Sequence, residues 1–183
     1  MRRKLTLHTC TLTVCIALLG VKNLDKYDYS NRMAWCLEVQ NRAEAKGVDP
    51  FLVAGLAFHE SSYRNAVSRV GAQGVLQVMP GIHCKEGKPC DLIDVGLEYL
   101  QYWVTRTGSQ ARAVCHYNSG NRCLPASARW ATKVMKTVKK LKQTCQEEEM
   151  PKVGKKKFPY TTKGKADAKT YAKKTKKKGA KKR

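Results

Sequence analysis

The chain has 183 residues, with 36 Lys and Arg against 14 Asp and Glu, a formal net charge of +22 and 42% hydrophobic residues. This length suits one compact domain with appendages and excludes two full domains. The charge is concentrated at one end, because residues 151–183 contain 15 basic residues and one acidic residue, whereas residues 23–150 contain 17 basic and 13 acidic residues. A uniformly basic nucleic-acid-binding domain is therefore disfavoured.

The first 22 residues have the pattern of an export signal. Three basic residues follow Met1, and the largely apolar stretch 5–20 comes next, which is short for a membrane span. No clean cleavage site follows it. We expect residues 1–22 to be a signal peptide, with an uncleaved N-terminal anchor as the alternative, and we expect an exported protein of the periplasm or cell envelope.

Six cysteines follow this segment, and an even number in an exported domain indicates disulfides. The sequence does not fix their connectivity. Short separations favour two local pairs and leave a third to join the ends of the domain: Cys84–Cys90, Cys115–Cys123 and Cys36–Cys145. Buried free thiols are the alternative. A metal site is not expected, because the spacings lack C-x2-C and Tyr63 stands where a second His would complete a His59-Glu60 zinc motif.

Between residues 23 and 150 the apolar pattern is mostly helical. Residues 31–46 form one amphipathic stretch, and Asp49-Pro50 then predicts an N-cap and first turn for the apolar run 51–58, which indicates a buried central helix.

Further along the chain, Asp91 begins a helix that reaches about Val104, Ser109 begins a shorter one, and a basic helix opens near Ser127. The segment 71–74 is turn-like. The pattern predicts a single, mainly α, disulfide-stabilised domain with a small irregular or β element.

The most informative stretch is residues 48–80, VDPFLVAGLAFHESSYRNAVSRVGAQGVLQVMP. This stretch contains three short motifs in order: Glu60-Ser61, Gly71-Ala72-x-Gly74 and Gln77-x-Met79-Pro80. Two further motifs follow downstream: Gly96-x-x-Tyr99-Leu100 and Tyr117-Asn118-Ser119-Gly120. Together they resemble the soluble-lytic-transglycosylase family of peptidoglycan-cleaving enzymes, over roughly residues 31–143.

The resemblance implies a lysozyme-like α+β fold and cleavage of the β-1,4 bond between N-acetylmuramic acid and N-acetylglucosamine in peptidoglycan strands. Glu60 falls on the catalytic acid/base of the family. Four further residues fall on positions that line the sugar site: Ser61, Gln77, Tyr117 and Asn118. The resemblance implies no metal and no cofactor. His116 departs from the family pattern, in which a small residue precedes Tyr117-Asn118.

The residues themselves support this chemistry. A carboxylic acid that protonates a glycosidic oxygen near neutral pH needs an apolar surround that raises its pKa, and Glu60 ends an apolar helix. No second acid is evident, since Asp91 and Asp94 are more simply helix-start residues. A single acid suits the substrate-assisted route of the family, which forms a 1,6-anhydro ring. Hydrolysis by water, as in goose-type lysozymes, is the closest alternative.

Several site residues have structural alternatives. Tyr117-Asn118 is also a turn sequence, and Gln77 is also able to satisfy buried backbone groups. We expect Tyr99, Tyr102 and Trp103 to belong to the core, and we expect His116 to have a structural role.

Residues 151–183 form a Lys-rich tail with no apolar periodicity, which predicts disorder. Its charge suits a polyanion, either anionic envelope polymers or, in a bacteriophage particle, DNA. A solubilising tail without a partner is the alternative. The sequence thus leaves three functions: a lytic transglycosylase of wall remodelling, secretion-apparatus assembly or phage entry, a lysozyme-type hydrolase, and a non-catalytic wall-binding or polyanion-binding protein.

Overall fold

A computed structural model describes residues 7–20, 25–86, 88–148, 152–153, 156–158, 164 and 166–173. Contacts divide the chain into two compact units, Met1–Leu141 and Lys142–Arg183. The described elements follow in the order α1 Leu7–Leu19, α2 Lys26–Ala45, α3 Pro50–Glu60, α4 Pro80–His83, α5 Leu92–Thr107, α6 Gln110–Ser119, α7 Pro125–Glu148, β1 Lys152–Val153 and β2 Lys156–Lys157. The predicted mainly helical fold class is confirmed.

The central helix of the first unit is α3. The carboxylate of Asp49 accepts hydrogen bonds from the backbone N–H groups of Phe51 and Leu52, and Pro50 occupies the first turn, as the sequence predicts. Residues 52–57 are all buried. A Cβ added to Gly55 would lie 2.7 Å from Val138 Cγ2, so α3 and α7 approach each other closely at this glycine.

Charged side chains join α2 to α5. Asp91 caps α5 by accepting from two backbone N–H groups, and its carboxylate also accepts from Arg42 of α2 at 2.6 Å. Lys46 pairs with Glu98 one turn further along. The predicted cap at Ser109 is confirmed as well, since its hydroxyl accepts from Arg112 N at the start of α6.

The N-terminal helix α1 packs against α2 and α3. Val14, Leu18 and Leu19 are buried, and a disulfide joins Cys15 to Cys36 with a Cα–Cα distance of 5.9 Å. None of the described helices is both long and apolar enough to cross a membrane.

The disulfides correct one prediction. The two local pairs, Cys84–Cys90 and Cys115–Cys123, are confirmed. The Cys36–Cys145 pair is wrong, because Cys36 is bonded to Cys15; Cys10 and Cys145 are disulfide-bonded too. The prediction failed because it set residues 1–22 aside as a signal and so left two cysteines of α1 uncounted. The alternative of free thiols is also wrong for the described cysteines.

The second unit contains local structure where the sequence predicts disorder. Strands β1 and β2 pair antiparallel, and residues 166–173 are helical. The rings of Phe158 and Tyr171 lie 5.6 Å apart between centroids, and the Lys156 ammonium lies 5.2 Å from the Tyr171 ring. Their aromatic contact supplies apolar burial that the composition average hides, and the disorder of residues 151–183 as a whole stays a prediction. The remainder of the predicted tail lies outside the described residues.

Candidate active site

Glu60 is the last residue of α3, where the buried apolar part of the helix meets a cavity. Burial raises the pKa of the Glu60 carboxyl from an ordinary value of 4.5 to about 8. Removal from water disfavours the charged form, and no opposite charge offsets this effect. Glu60 therefore keeps its proton at neutral pH, as expected from the sequence.

The cavity beside Glu60 has a volume of about 300 Å³. Residues from α3, the segment 68–79, α4, α5 and α6 line it: Glu60, Ser68, Val70, Ala72, Gln77, Val78, Met79, His83, Tyr99, Tyr117 and Asn118. Four of the five residues predicted for the site thus lie together, although they come from three separate parts of the chain.

One wall of the cavity is the predicted small β element. Backbone bridges join Val67 to Gln73 and Gln73 to Val78. Gly71 and Gly74 have φ values of +87° and +76°, the left-handed region that favours glycine. A Cβ at Gly74 would also lie 3.3 Å from Leu92 Cδ1, so this glycine serves both the turn and its packing against α5.

Ser61 is the predicted site residue that does not line the cavity. Its hydroxyl donates to the carbonyl oxygen of Val75 at 2.8 Å. The bond joins the end of α3, next to Glu60, to the β element across 14 residues of sequence. The structure thus gives Ser61 a positioning contact instead of a place on the cavity wall.

Gln77 lines the cavity, but its amide nitrogen is engaged with the backbone. It donates to the carbonyl oxygens of Gly74 at 2.8 Å and Ala66 at 3.0 Å. Gln77 itself has a φ of +50°, an uncommon conformation for a side chain of this size. The amide nitrogen therefore satisfies backbone groups, and the residue also borders the cavity, while its contact with a sugar stays a prediction.

Tyr117 is buried, and its hydroxyl donates to the carbonyl oxygen of Leu76 at 2.8 Å. Burial and the nearby Glu60 raise the pKa of Tyr117 well above its ordinary value, so the phenol remains protonated. Gly96 of α5 permits this arrangement, because a Cβ there would lie 3.1 Å from the Tyr117 hydroxyl and 2.8 Å from Leu76 Cδ1. Asn118, the next residue, lines the cavity and is exposed.

Two aromatic residues of the cavity were not expected from the sequence. The ring of His83 lies 4.2 Å from that of Tyr99, and Tyr99 lies 5.3 Å from Tyr117. Burial lowers the pKa of His83. Tyr99 packs against the core, as expected, and also lies on the cavity wall. Trp103 is buried as expected, whereas Tyr102 is 48% exposed and its assignment to the core is wrong.

Arg32 is a further residue that the sequence did not reveal. It is buried on α2, pairs with Asp28, and donates to the carbonyl oxygen of Ser62 at 3.3 Å. Ser62 and Tyr63, directly after α3, have φ values of +53° and +61°. A charged residue inside the helical core thus supports the strained turn that follows Glu60.

Glu60 is the only carboxylate among the described residues that line the cavity. The candidate second acids are engaged elsewhere, since Asp91 and Asp94 pair with Arg42, and Glu98 pairs with Lys46. The described part of the chain also contains no group of three His, Cys, Asp or Glu that could bind a metal ion. The polar groups of the cavity are therefore one neutral acid, two phenols, an imidazole, a hydroxyl and two side-chain amides.

A mainly helical domain with one desolvated carboxyl group in a polar and aromatic cavity has the features of a lysozyme-like domain that cleaves glycans. Comparison with protein families identifies it further: the transglycosylase SLT domain matches residues 38–141, and the chain belongs to this family. The resemblance drawn from the sequence motifs is thereby confirmed. Comparison with curated proteins gave no match. Family membership indicates lytic transglycosylase activity on peptidoglycan.

Proposed function

We propose that the protein is an exported lytic transglycosylase in which Glu60 acts first as an acid and then as a base. The bond cleaved is the β-1,4 bond between N-acetylmuramic acid and N-acetylglucosamine. The main support for the proposal is the environment of Glu60. It lines the cavity with no second acidic residue among the described lining residues, and burial raises its pKa to about 8.

In the first step, protonated Glu60 gives its proton to the glycosidic oxygen as the bond to C1 of the muramic acid breaks. The N-acetyl oxygen of the same sugar forms a bond to C1, and this replaces the nucleophilic carboxylate of two-acid glycosidases. The leaving N-acetylglucosamine departs with a neutral hydroxyl. A raised pKa suits this step because the acid must be protonated before it donates.

In the second step, the Glu60 carboxylate takes the proton of the C6 hydroxyl of the muramic acid. The C6 oxygen then bonds to C1 and displaces the N-acetyl oxygen, which closes a 1,6-anhydro ring and returns Glu60 to its protonated form. No water is consumed. The poor solvation that raises the pKa of Glu60 also makes its carboxylate an effective base in this step.

The other predicted residues take supporting roles in this proposal. Tyr117 and Asn118 contact the sugars next to the cleaved bond, and the amide oxygen of Gln77 accepts a hydrogen bond from the substrate. Ser61 positions Glu60 through its bond to Val75. The reaction as written uses no metal and no cofactor.

Peptidoglycan lies outside the cytoplasmic membrane, so we place the enzyme in the periplasm or cell envelope. Of the two alternatives for residues 1–22, a cleaved signal and a retained N-terminal anchor, the Cys15–Cys36 bond favours the retained anchor. Wall remodelling, secretion-apparatus assembly and phage entry all use this reaction. The basic tail adds affinity for anionic envelope polymers or, in a phage virion, for DNA. Deleting residues 151–183 tests this role, because binding to sacculi should weaken and its dependence on salt should flatten.

The reaction is tested by incubating purified peptidoglycan sacculi with the full chain, produced under oxidising conditions, and with Glu60→Gln. Mass spectrometry should find muropeptides lighter by one water than hydrolytic products, and only with the wild-type protein. Reducing products would assign the protein to the lysozyme-type hydrolases. Absence of products from a protein with native circular dichroism would favour the non-catalytic binding protein.

A further inference from the structure

A second cavity, of about 500 Å³, lies between the C-terminal part of α5 and α6. Its polar lining comes from both helices and the turn after α6, and includes Trp103, Arg106, Arg112, His116 and Asn121. We name it the arginine cavity. None of its described lining residues is acidic, although the site contains two guanidinium groups.

Neither arginine of this cavity has a carboxylate partner among the described residues, unlike Arg42 and Arg32 of α2. Arg106 is oriented by its own helix, since it donates to the Tyr102 hydroxyl at 2.6 Å and lies 5.7 Å from the Trp103 ring. A guanidinium with fixed orientation is well suited to paired hydrogen bonds with a carboxylate.

Trp103 supplies an independent indication. Its indole nitrogen is buried and has no hydrogen-bond acceptor in the described structure. A buried indole N–H normally finds an acceptor, so an unsatisfied one at a cavity wall indicates that a ligand or solvent provides it. The ring itself is held flat against His116, with centroids 4.4 Å apart and planes 14° apart.

Neighbouring aromatic residues line the arginine cavity and the catalytic cavity. Trp103 lines the first and Tyr99 lines the second, and their ring centroids lie 6.1 Å apart. His116 and Tyr117 are consecutive residues that line one cavity each. The two cavities are therefore neighbours in the fold.

We propose that the arginine cavity binds a carboxylate of the peptide stem attached to the muramic acid, a proposal that rests on the proposed function. The acetylated sugars of the glycan backbone are neutral, whereas the stem peptide is the part of the substrate that bears free carboxylates. Two arginines without a described acid beside them select for that group. The site thus makes the enzyme prefer glycan that still bears its peptides.

The test compares two substrates, peptide-bearing glycan strands and the same strands with their stem carboxylates amidated, because removal of the peptides by an amidase would leave a new carboxylate on each muramic acid. We expect the Arg106→Gln/Arg112→Gln variant to lose about fivefold in kcat/KM on strands with free carboxylates and to match wild type on the amidated strands. Arg129→Gln, an exposed arginine of α7, is the control and should match wild type on both. Equal losses on the two substrates, or no loss on either, would overturn the proposal.

Binding without turnover separates this proposal from the proposed reaction. A synthetic stem tripeptide should shift the indole N–H resonance of Trp103 in the Glu60→Gln protein, assigned by its absence in Trp103→Phe. The same peptide with its carboxylates amidated should not. No shift, or an equal shift with inorganic phosphate, would overturn the stem-peptide assignment. A shift in Glu60→Gln, combined with a wild-type protein that cleaves neither substrate, would refute the reaction alone.

Discussion

Two regions of this molecule use carboxylates in opposite ways. At the end of α3, Glu60 has a desolvated carboxyl whose pKa is raised to about 8. On the surface between α2 and α5, Asp91 is 48% exposed, and its hydrogen bond with Arg42 lowers its pKa. The same functional group is thus a neutral acid in one place and a fixed anion in the other.

The difference follows from what surrounds each group. Glu60 is removed from water without a cation beside it, so only protonation relieves the cost of burial. Asp91 keeps its water, caps a helix and faces a guanidinium, and each of these favours the charged form. Burial without an ionic partner therefore distinguishes Glu60, the candidate catalytic acid, from an ion-paired surface acid such as Asp91.

The largest expected effect is the loss of turnover in Glu60→Gln, by roughly 10²–10⁴-fold. Glutamine retains the shape of the side chain but neither gives nor takes the proton. Glu98→Gln is the matched control, because Glu98 lies on the α2–α5 surface, and its rate should stay within a factor of about two of wild type. Initial rates of product release from sacculi measure both; equal rates for Glu60→Gln and wild type would remove Glu60 from the mechanism.

The second effect concerns stability and pH. Because folding raises the pKa of Glu60, the native state binds a proton that the unfolded state has released between about pH 4.5 and pH 8. As the pH rises through this window, the free energy of unfolding of the wild-type protein therefore decreases by about 1.4 kcal/mol per pH unit relative to that of Glu60→Gln. Glutamine does not ionise in this range, so the variant lacks this dependence. Urea unfolding at several pH values measures the difference, which should level off above about pH 8. A constant difference would contradict the raised pKa.

Activity should follow the same ionisation. The proposed first step needs protonated Glu60, so kcat/KM should fall as the pH rises through about 8. A fall centred near pH 4.5 would mean that the carboxyl titrates as an ordinary solvated acid.

Local signals made much of the fold predictable from the sequence. Asp49, Asp91 and Ser109 were recognised as caps because a cap depends on a few neighbouring residues. The family motifs likewise located Glu60, Gln77, Tyr117 and Asn118, and the fold brings these four to one cavity.

The remaining features depend on contacts between distant parts of the chain. Tyr99 belongs to the cavity wall because of how α5 packs on α6, which its place in an amphipathic helix does not determine. Buried Arg32 looks like any helical surface arginine until its contacts with Asp28 and Ser62 are known. The Cys15–Cys36 bond was missed for a different reason, since a stretch of sequence that resembles a signal peptide also packs as a helix.

A fourth prediction concerns the packing that supports the cavity. In Gly96→Ala, the new Cβ would lie 2.8 Å from Leu76 Cδ1 and 3.1 Å from the Tyr117 hydroxyl. We expect a loss of about 1–3 kcal/mol in the free energy of unfolding from overpacking, and a decrease in kcat of about tenfold from displaced Tyr117. Gly81→Ala is the control, because its Cβ meets nothing within 4 Å. Equal behaviour of the two variants in thermal unfolding and rate assays would show that this contact is not needed.

The smallest effect belongs to the α2–α5 surface. Asp91→Asn preserves an N-cap residue but removes the charge that pairs with Arg42. We therefore expect a loss of only about 0.2–1 kcal/mol in the free energy of unfolding and an unchanged rate of product release.

The contribution of Asp91 to stability should depend on pH in the opposite sense to that of Glu60. Because folding lowers the pKa of Asp91, its stabilisation is present above the ordinary value of 3.8 and disappears as the pH falls below it. As the pH rises through about 3.8, wild type should therefore gain stability relative to Asp91→Asn, and this gain should shrink in high salt. As the pH rises from about 4.5 to about 8, wild type should instead lose stability relative to Glu60→Gln, with little dependence on salt. If wild type gained stability with pH relative to both variants, or lost it relative to both, the contrast between a desolvated acid and an ion-paired one would be wrong.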